Sequence, residues 1–388
     1  MRITIVGGGP SGLYFAILMK KLDRRNEITI VERDGPNDTF GWGIVFSDHT
    51  FSYLRDSDYE SYQSITRACQ TWDNVDIVHK NQKVTIRGNK FSGVARLAFL
   101  NILQGRCLDL GVEIRFNTNV NDVGELDGYD LLIGADGANS LVRRTFSDYF
   151  QPSVDVRKNK YVWLGTHQLF HGLTLTFRES EAGLFIAHSY KFNETTSTFI
   201  VECGEATWQR AKLGERSGEE TCAYLAEVFK NDLGGHGLLS NNFVKWLNFP
   251  LVKNGRWHHR NITLLGDALH TAHFSIGSGT KLALEDSIAL ADCFRSQGGI
   301  EAALAEFQRV RKPVIDEYQE AAYASLLLFE NAEEEMSLDP MPFAYKMMTR
   351  SKKIDYEKLK KRDPEFIAAY DDWRRGNQES GPGSPASG

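Results

Sequence analysis

Three clusters of glycine and aspartate, in fixed order along 388 residues, have the types and spacing to hold a large phosphorylated ligand. The first is Gly7-x-Gly9-x-x-Gly12, the second Gly134-Ala135-Asp136-Gly137, and the third Gly266-Asp267-Ala268. In the first, Gly7 permits a tight turn, Gly9 lets the backbone approach a pyrophosphate, and Gly12 lets a helix pack on a strand. Pro10 and Ser11 open that helix, whose free amides and dipole face the phosphates. Glu32 lies 20 residues beyond Gly12, where a carboxylate accepts hydrogen bonds from a ribose diol, and Arg33 follows it. Arg96, in the first turn of a helical stretch from 94 to 110, can reach a phosphate or ribose; a solvated surface arginine is the other reading. In the third cluster Asp267 can bond a ribityl hydroxyl. Gly277, Gly279 and Thr280 then bring backbone amides to a ring that turns negative on reduction.

Alternating strands and helices must position these residues. The β-branched runs 2–6 and 27–31 predict buried parallel strands flanking an apolar helix from Leu13. Residues 129–134 and 261–265 predict two more strands that feed the second and third clusters, with a helix over about 280–295. Between them the pattern changes. The short runs 161–164, 173–177, 183–187 and 198–201 predict one antiparallel sheet. Ser217-x-x-Glu220 is a capping box that starts a helix reaching about Lys230. The chain from Glu301 is helical and charged, with Pro313 a kink or boundary.

The expected fold class is α/β: a Rossmann-like cofactor domain with an inserted antiparallel β-sheet substrate domain and C-terminal helices. The cofactor domain takes residues 1–150 and 256–330, and the substrate domain 151–255 with a small segment at about 72–92. A C-terminal helical region covers 331–376, and the Gly/Ser/Pro-rich stretch 377–388 is an expected disordered tail. A formal charge of −6 argues against nucleic acid as a partner. Five scattered cysteines, with no C-x-x-C pair, suit a reducing cytoplasm rather than a disulfide scaffold or metal site. No apolar run approaches membrane-spanning length, and a strand starting at residue 2 leaves no room for a leader.

Together the three clusters predict FAD as a resident redox group. Their order, with Ser140 and Arg143 after the second and His270 in the third, resembles the single-component flavoprotein aromatic hydroxylases, the group A monooxygenases. The likeness spans about residues 1–330 and implies a GR2-type fold like that of p-hydroxybenzoate hydroxylase. Within the group, the string from Gly266 to Lys281, together with Gly41-Trp42-Gly43, 184–190 and 197–203, is similar to the branch acting on 2-substituted benzoyl-CoA thioesters. That branch also holds an indole hydroxylase. One departure is His273-Phe274, where most of the group carries prolines.

The resemblance implies NADH or NADPH as a transient electron donor, O2 as co-substrate, and a flavin hydroperoxide that hydroxylates an electron-rich ring. The chain has no second complete nucleotide motif, which agrees with a nicotinamide that visits and leaves. The implied substrate is an aromatic coenzyme A thioester, salicylyl-CoA hydroxylated para to its phenol. A free aromatic or indolic compound is the alternative, and a non-catalytic flavin-binding scaffold is the third reading. A monomer or homodimer is expected. His273, His188 and Tyr190 are candidate catalytic residues because a base that removes the phenolic proton makes the ring more nucleophilic. Packed structural histidines remain the alternative. Phe274 and Gly43 are candidate pocket residues. The basic run Lys346, Arg350, Lys352, Lys353, Lys358, Lys360, Lys361 and Arg362 either meets coenzyme A phosphates or is a solvated helical face.

Overall fold

The computed structural model describes residues 1–241 and 244–379. Its first layer is a six-stranded sheet built from the expected β-branched runs. β1 (Arg2–Val6) pairs in parallel with β2 (Glu27–Val31) on one side, and α1 (Pro10–Leu22) joins the two strands. Glu113–Arg115 extends the sheet beyond β2. The glycine requirements are visible in the backbone. Gly7 has φ +107°, and a Cβ there would stand 2.3 Å from the Ala135 carbonyl oxygen. A Cβ on Gly12 would stand 2.3 Å from the Gly7 carbonyl oxygen.

β3 (Gly43–Ser47) lies outside this sheet, in a separate three-stranded sheet. β4 (Val75–His79) and β5 (Gln82–Ile86) form a hairpin, and β6 (Phe91–Ala95) returns to pair with β3. Only then does α2 (Arg96–Asp109) begin, so the helical stretch expected from Val94 starts two residues later, Val94 being held in the β6 ladder. β7 (Leu131–Gly134) pairs with β1 on its other side.

The second layer is an eight-stranded sheet. β8 (Pro152–Thr166), β9 (Leu173–Ser180), β10 (Gly183–Lys191) and β11 (Ser197–Cys203) are longer than the sequence runs suggested. Their spatial order is β8, β11, β10, β9, β4, β5. The four expected runs pair antiparallel throughout, and the one parallel neighbour comes from outside them. β9 pairs with β4 in parallel, because β4 arrives from the cofactor side of the molecule rather than through a hairpin. Side chains alternate across the sheet. Val162, Leu164, Phe185, Ala187, Phe199 and Val201 pack on one face against Leu225 of α3 (Gly218–Val228). Residues 161, 163, 186, 188, 200 and 202 take the other face. The capping box of α3 is formed: the Glu220 amide donates to Ser217 Oγ at 3.2 Å, and the Ser217 amide to Glu220 Oε2 at 2.7 Å.

β12 (Leu247–Asn254) pairs with β8 and returns the chain to the first layer, where β13 (Ile262–Leu264) pairs with β7. α4 (Gly279–Ser296) then packs on α1. α5 (Ile300–Glu330) runs through Pro313 without ending, so Pro313 is no boundary. Pro313 is exposed, and the carbonyl it leaves unpaired belongs to the exposed Arg309, which solvent reaches. α6 (Pro340–Thr349), α7 (Tyr356–Arg362) and α8 (Pro364–Glu379) cover the β4 end of the substrate sheet, through Phe343, Met347, Leu359 and Ile367. Of the expected tail, residues 377–379 close α8, and 380–388 lie outside the described residues.

Candidate active site

A cleft of about 480 Å³ separates the two layers, and all three glycine clusters open onto it. Gly9, Pro10 and Ser11 line it at the start of α1, Ala135 and Gly137 after β7, and Asp267 after β13. Gly277, Gly279 and Thr280 line it at the start of α4, where amides of an eighteen-residue helix face the opening. Gly277 has φ +60°, a left-handed cap that the turn requires. A Cβ on Gly9, Gly137 or Gly279 would meet no atom within 4 Å, so each backbone stands open to a ligand.

Among the described residues, two charged side chains here make no hydrogen bond or ion pair to protein, though each lies in the other's field. Arg96, the first residue of α2, lines the cleft; its Nε is buried without a hydrogen bond, and among the described residues no carboxylate pairs with it. Asp267 is exposed and lines the cleft. A cation, a carboxylate and a row of backbone amides along one groove match the phosphates, hydroxyls and ring of FAD.

Other residues expected at the cofactor stand differently. Glu32 accepts from the Gly8 amide at 2.5 Å and the Asp34 amide at 2.9 Å, which orients its carboxylate beside the first glycine turn. Arg33 is exposed and turns to Asp34, 3.4 Å away; it does not line the cleft. Asp136 is an internal brace: Oδ2 accepts from the Leu141 amide at 2.6 Å, and Oδ1 is buried without a partner. Arg143 ties the second cluster to the third by donating to the Ala268 carbonyl at 2.8 Å. His270 bonds Asp286 at 2.7 Å, and Arg311 bonds Asp286 and Glu285 at 2.8 and 2.9 Å, a buried network under the third cluster.

The substrate side of the cleft is the open face of the second sheet, with Tyr161, Trp163, His188, Tyr190 and Ile200 as its floor. Phe274 lies over it, 4.9 Å from the Tyr161 ring and 5.3 Å from His188. Gly43 lines the cleft and admits no side chain, since a Cβ would stand 2.5 Å from Phe192.

The three candidate catalytic residues separate. His188 lines the cleft, and its Nε2 donates to Glu202 Oε2 at 3.2 Å, leaving Nδ1 as the ring's acceptor. Glu202 is buried and also accepts from Asn159 Nδ2 at 2.8 Å; His188, His273 and Asn159 hold its carboxyl below the usual range despite burial. Tyr190 donates its hydroxyl to the Gly43 carbonyl at 2.8 Å, and burial raises its pKa. That hydroxyl is committed to a backbone acceptor. His273 does not line the main cleft; it borders a small adjoining pocket with Glu202, Arg157 and Phe249. Burial pushes its imidazole down to about 4.

Glu202 is the residue that sequence reasoning passed over. An acid set between the apolar residues 199–201 and Cys203 is the signal that marks Glu202. Arg350 belonged to a basic run read either as meeting coenzyme A phosphates or as a solvated helical face, and the solvated reading fails for it. It lines the cleft, donates Nε to Ser325 Oγ at 2.9 Å and Nη2 to the Ser275 carbonyl at 2.7 Å, and bonds the Met347 carbonyl through Nη1. Burial pushes its guanidinium down to about 10, and no carboxylate pairs with it among the described residues. Arg362 also lines the cleft. Lys346 and Lys358 instead pair with Glu335 and Asp355 at the surface.

Comparison with known proteins agrees with this geometry. The family model described as FAD binding domain matches residues 1–318. Salicyloyl-CoA 5-hydroxylase of a Streptomyces species is 36% identical, over 98% of this chain and 75% of that protein. Protodeoxyviolaceinate monooxygenase of Chromobacterium violaceum is also 36% identical, over 91% of this chain and 95% of that one. A 3-hydroxy-4-methyl-anthranilyl-(aryl-carrier protein) 5-monooxygenase of Streptosporangium sibiricum is 33% identical over 85% and 89%. Among solved structures, 2-methyl-3-hydroxypyridine-5-carboxylic acid oxygenase shares the fold, with TM-score 0.71 at 19% identity over 85% of this chain and 92% of that one. Among the described residues no helix is long and apolar enough to cross a membrane, and no cluster could hold a metal. The chain belongs to the FAD binding domain family, among its FAD-dependent aromatic hydroxylases.

Proposed function

We propose that the chain uses NAD(P)H and O2 to hydroxylate an activated aromatic acyl thioester, with salicyloyl-CoA to its 5-hydroxy product as the specific reaction. The observation that carries this reading is 36% identity to salicyloyl-CoA 5-hydroxylase across nearly the whole chain. Bound FAD supplies reduction by a visiting nicotinamide and delivery of an electrophilic oxygen from O2 to the ring.

The protein's own residues supply binding, dryness and a proton acceptor. Gly9, Ser11, Arg96, Asp267 and the amides of 277–280 hold the cofactor along the groove. Phe274, Tyr161 and Phe249 keep water from the reacting ring. His188 takes the phenolic proton at Nδ1, while Glu202 fixes its tautomer through Nε2 and steadies the imidazolium that results. Tyr190 holds the β3 backbone at Gly43 and is a positioning residue. His273, held neutral and set aside from the main cleft, braces the flavin loop; its Nδ1 accepts from the Ser275 amide at 3.4 Å.

A second reading, hydroxylation of a free indolic compound, draws on the equal identity to protodeoxyviolaceinate monooxygenase. Product analysis separates the two. NADH or NADPH oxidation is followed with salicyloyl-CoA, free salicylate and indolic acids, and products are identified by mass spectrometry. A hydroxylated thioester is expected; turnover of the free compounds alone would reject the thioester reading.

A further inference from the structure

The cleft floor is longer than one aromatic ring requires, and its chemistry changes from end to end. A cross-strand row of Trp163, Ile200, His188 and Leu175 crosses the cleft from β8 to β9, and Val75, paired with Leu173, carries the floor onto β4. Neighbouring strands lie about 4.8 Å apart, so five strands span roughly 19 Å. The β8–β10 end carries Tyr161, Trp163, His188 and Tyr190, next to the flavin loop. The middle is apolar, with Leu173, Leu175 and Val75 faced by Phe91 and Ile354. The far end is polar and basic. Asn89 is buried, and its Nδ2 donates to the Arg87 carbonyl at 2.9 Å. Its Oδ1 accepts from Arg362 Nη1 at 3.0 Å, which holds that guanidinium at the mouth. Arg362 is exposed and has no carboxylate partner among the described residues, so most of its N–H groups remain free for an anion.

We propose that this arm of the cleft receives a pantetheine chain, with Arg362 on its 4′-phosphate. The inference rests on the thioester reading and adds to it a path and a contact. The order aromatic, apolar, basic along the floor matches the order ring, slender chain, phosphate along such a substrate. An exposed guanidinium pinned by one neutral side chain suits a phosphate, which it can grip with two parallel N–H donors.

The test is steady-state kinetics of the FAD-loaded full chain with salicyloyl thioesters of pantetheine, 4′-phosphopantetheine and coenzyme A. In the wild type, KM for the phosphorylated thioesters should lie at least tenfold below that for the pantetheine thioester. Arg362→Glu should drive that ratio toward one, and Arg362→Lys should restore part of it. A coenzyme A thioester tighter than the phosphopantetheine one assigns the arm to the soluble cofactor; equal values assign it to a carrier-bound arm. A wild-type ratio near one, or a ratio unmoved in R362E, overturns the assignment while leaving thioester turnover intact. Turnover of free salicylate or an indole, with every thioester inert, instead removes the substrate reading and this arm with it. If R362E fails to retain FAD, Leu173→Trp narrows the arm away from the ring; an unchanged KM for all three thioesters would then overturn the proposal.

Discussion

Two buried histidines share the field of Glu202, and their surroundings suit them to different work. His188 opens to the cleft with a carboxylate behind it. Its replacement in H188Q should slow hydroxylation roughly 100-fold while flavin reduction by NAD(P)H stays within twofold, measured by single-turnover absorbance. His273 should matter more to stability than to chemistry. Folded, it binds a proton only near pH 4, against 6.5 for the unfolded imidazole, because burial disfavours its charge. Between those values the unfolded chain holds more protons, so stability falls as pH drops through that window, by up to about 3 kcal/mol. Thermal melts from pH 7 to 4.5 should show this fall, and H273N should flatten it; a wild-type-like slope in H273N would refute the assignment. Glu202 and Asp286, both held below the usual carboxylate range, add losses only at lower pH. His188 was visible in the sequence as a histidine near a strand end. Its partner was not, because Glu202 comes beside it only through the pairing of β10 with β11. Non-local register of that kind leaves no mark in local spacing.

At the scale of elements, the first glycine cluster separates folding from cofactor binding. Gly12 faces backbone, so Gly12→Ala forces α1 away from β1 and should cost about 1–3 kcal/mol of apoprotein stability. Gly9 faces the open groove, so Gly9→Ala should leave the apoprotein melting temperature unchanged yet weaken FAD binding at least tenfold, read from the 450 nm absorbance of the purified protein. Equal retention of FAD by G9A would remove Gly9 from the phosphate contact. The strand–turn–helix units were legible because each combines β-branched residues, glycine and an apolar helix within about twenty residues. The segment around 72–92 was assigned to the substrate domain, but the pairing of β4 was hidden: the partner of Val75–His79, β9, lies almost a hundred residues on. Pro313 misled because the cost of proline depends on which face of the helix it occupies, and sequence alone does not reveal that face.

For the whole molecule, the cleft between the layers is the place where cofactor binding and global stability meet. FAD bound only to the folded chain should raise the melting temperature, by the equivalent of about 4 kcal/mol when free FAD is 1,000 times its dissociation constant. Scanning calorimetry of apo- and FAD-loaded protein checks this; coincident transitions would mean that the groove does not hold the cofactor. The C-terminal helices belong to the same unit. The family match stops at residue 318, whereas Arg350 grips the Ser275 carbonyl and Ser325 from beyond that point. A shortened chain ending near residue 330 would retain every glycine signature and still lose the strut beneath its flavin loop. Any graft of the first 330 residues onto a foreign C-terminus must therefore bring a guanidinium of its own.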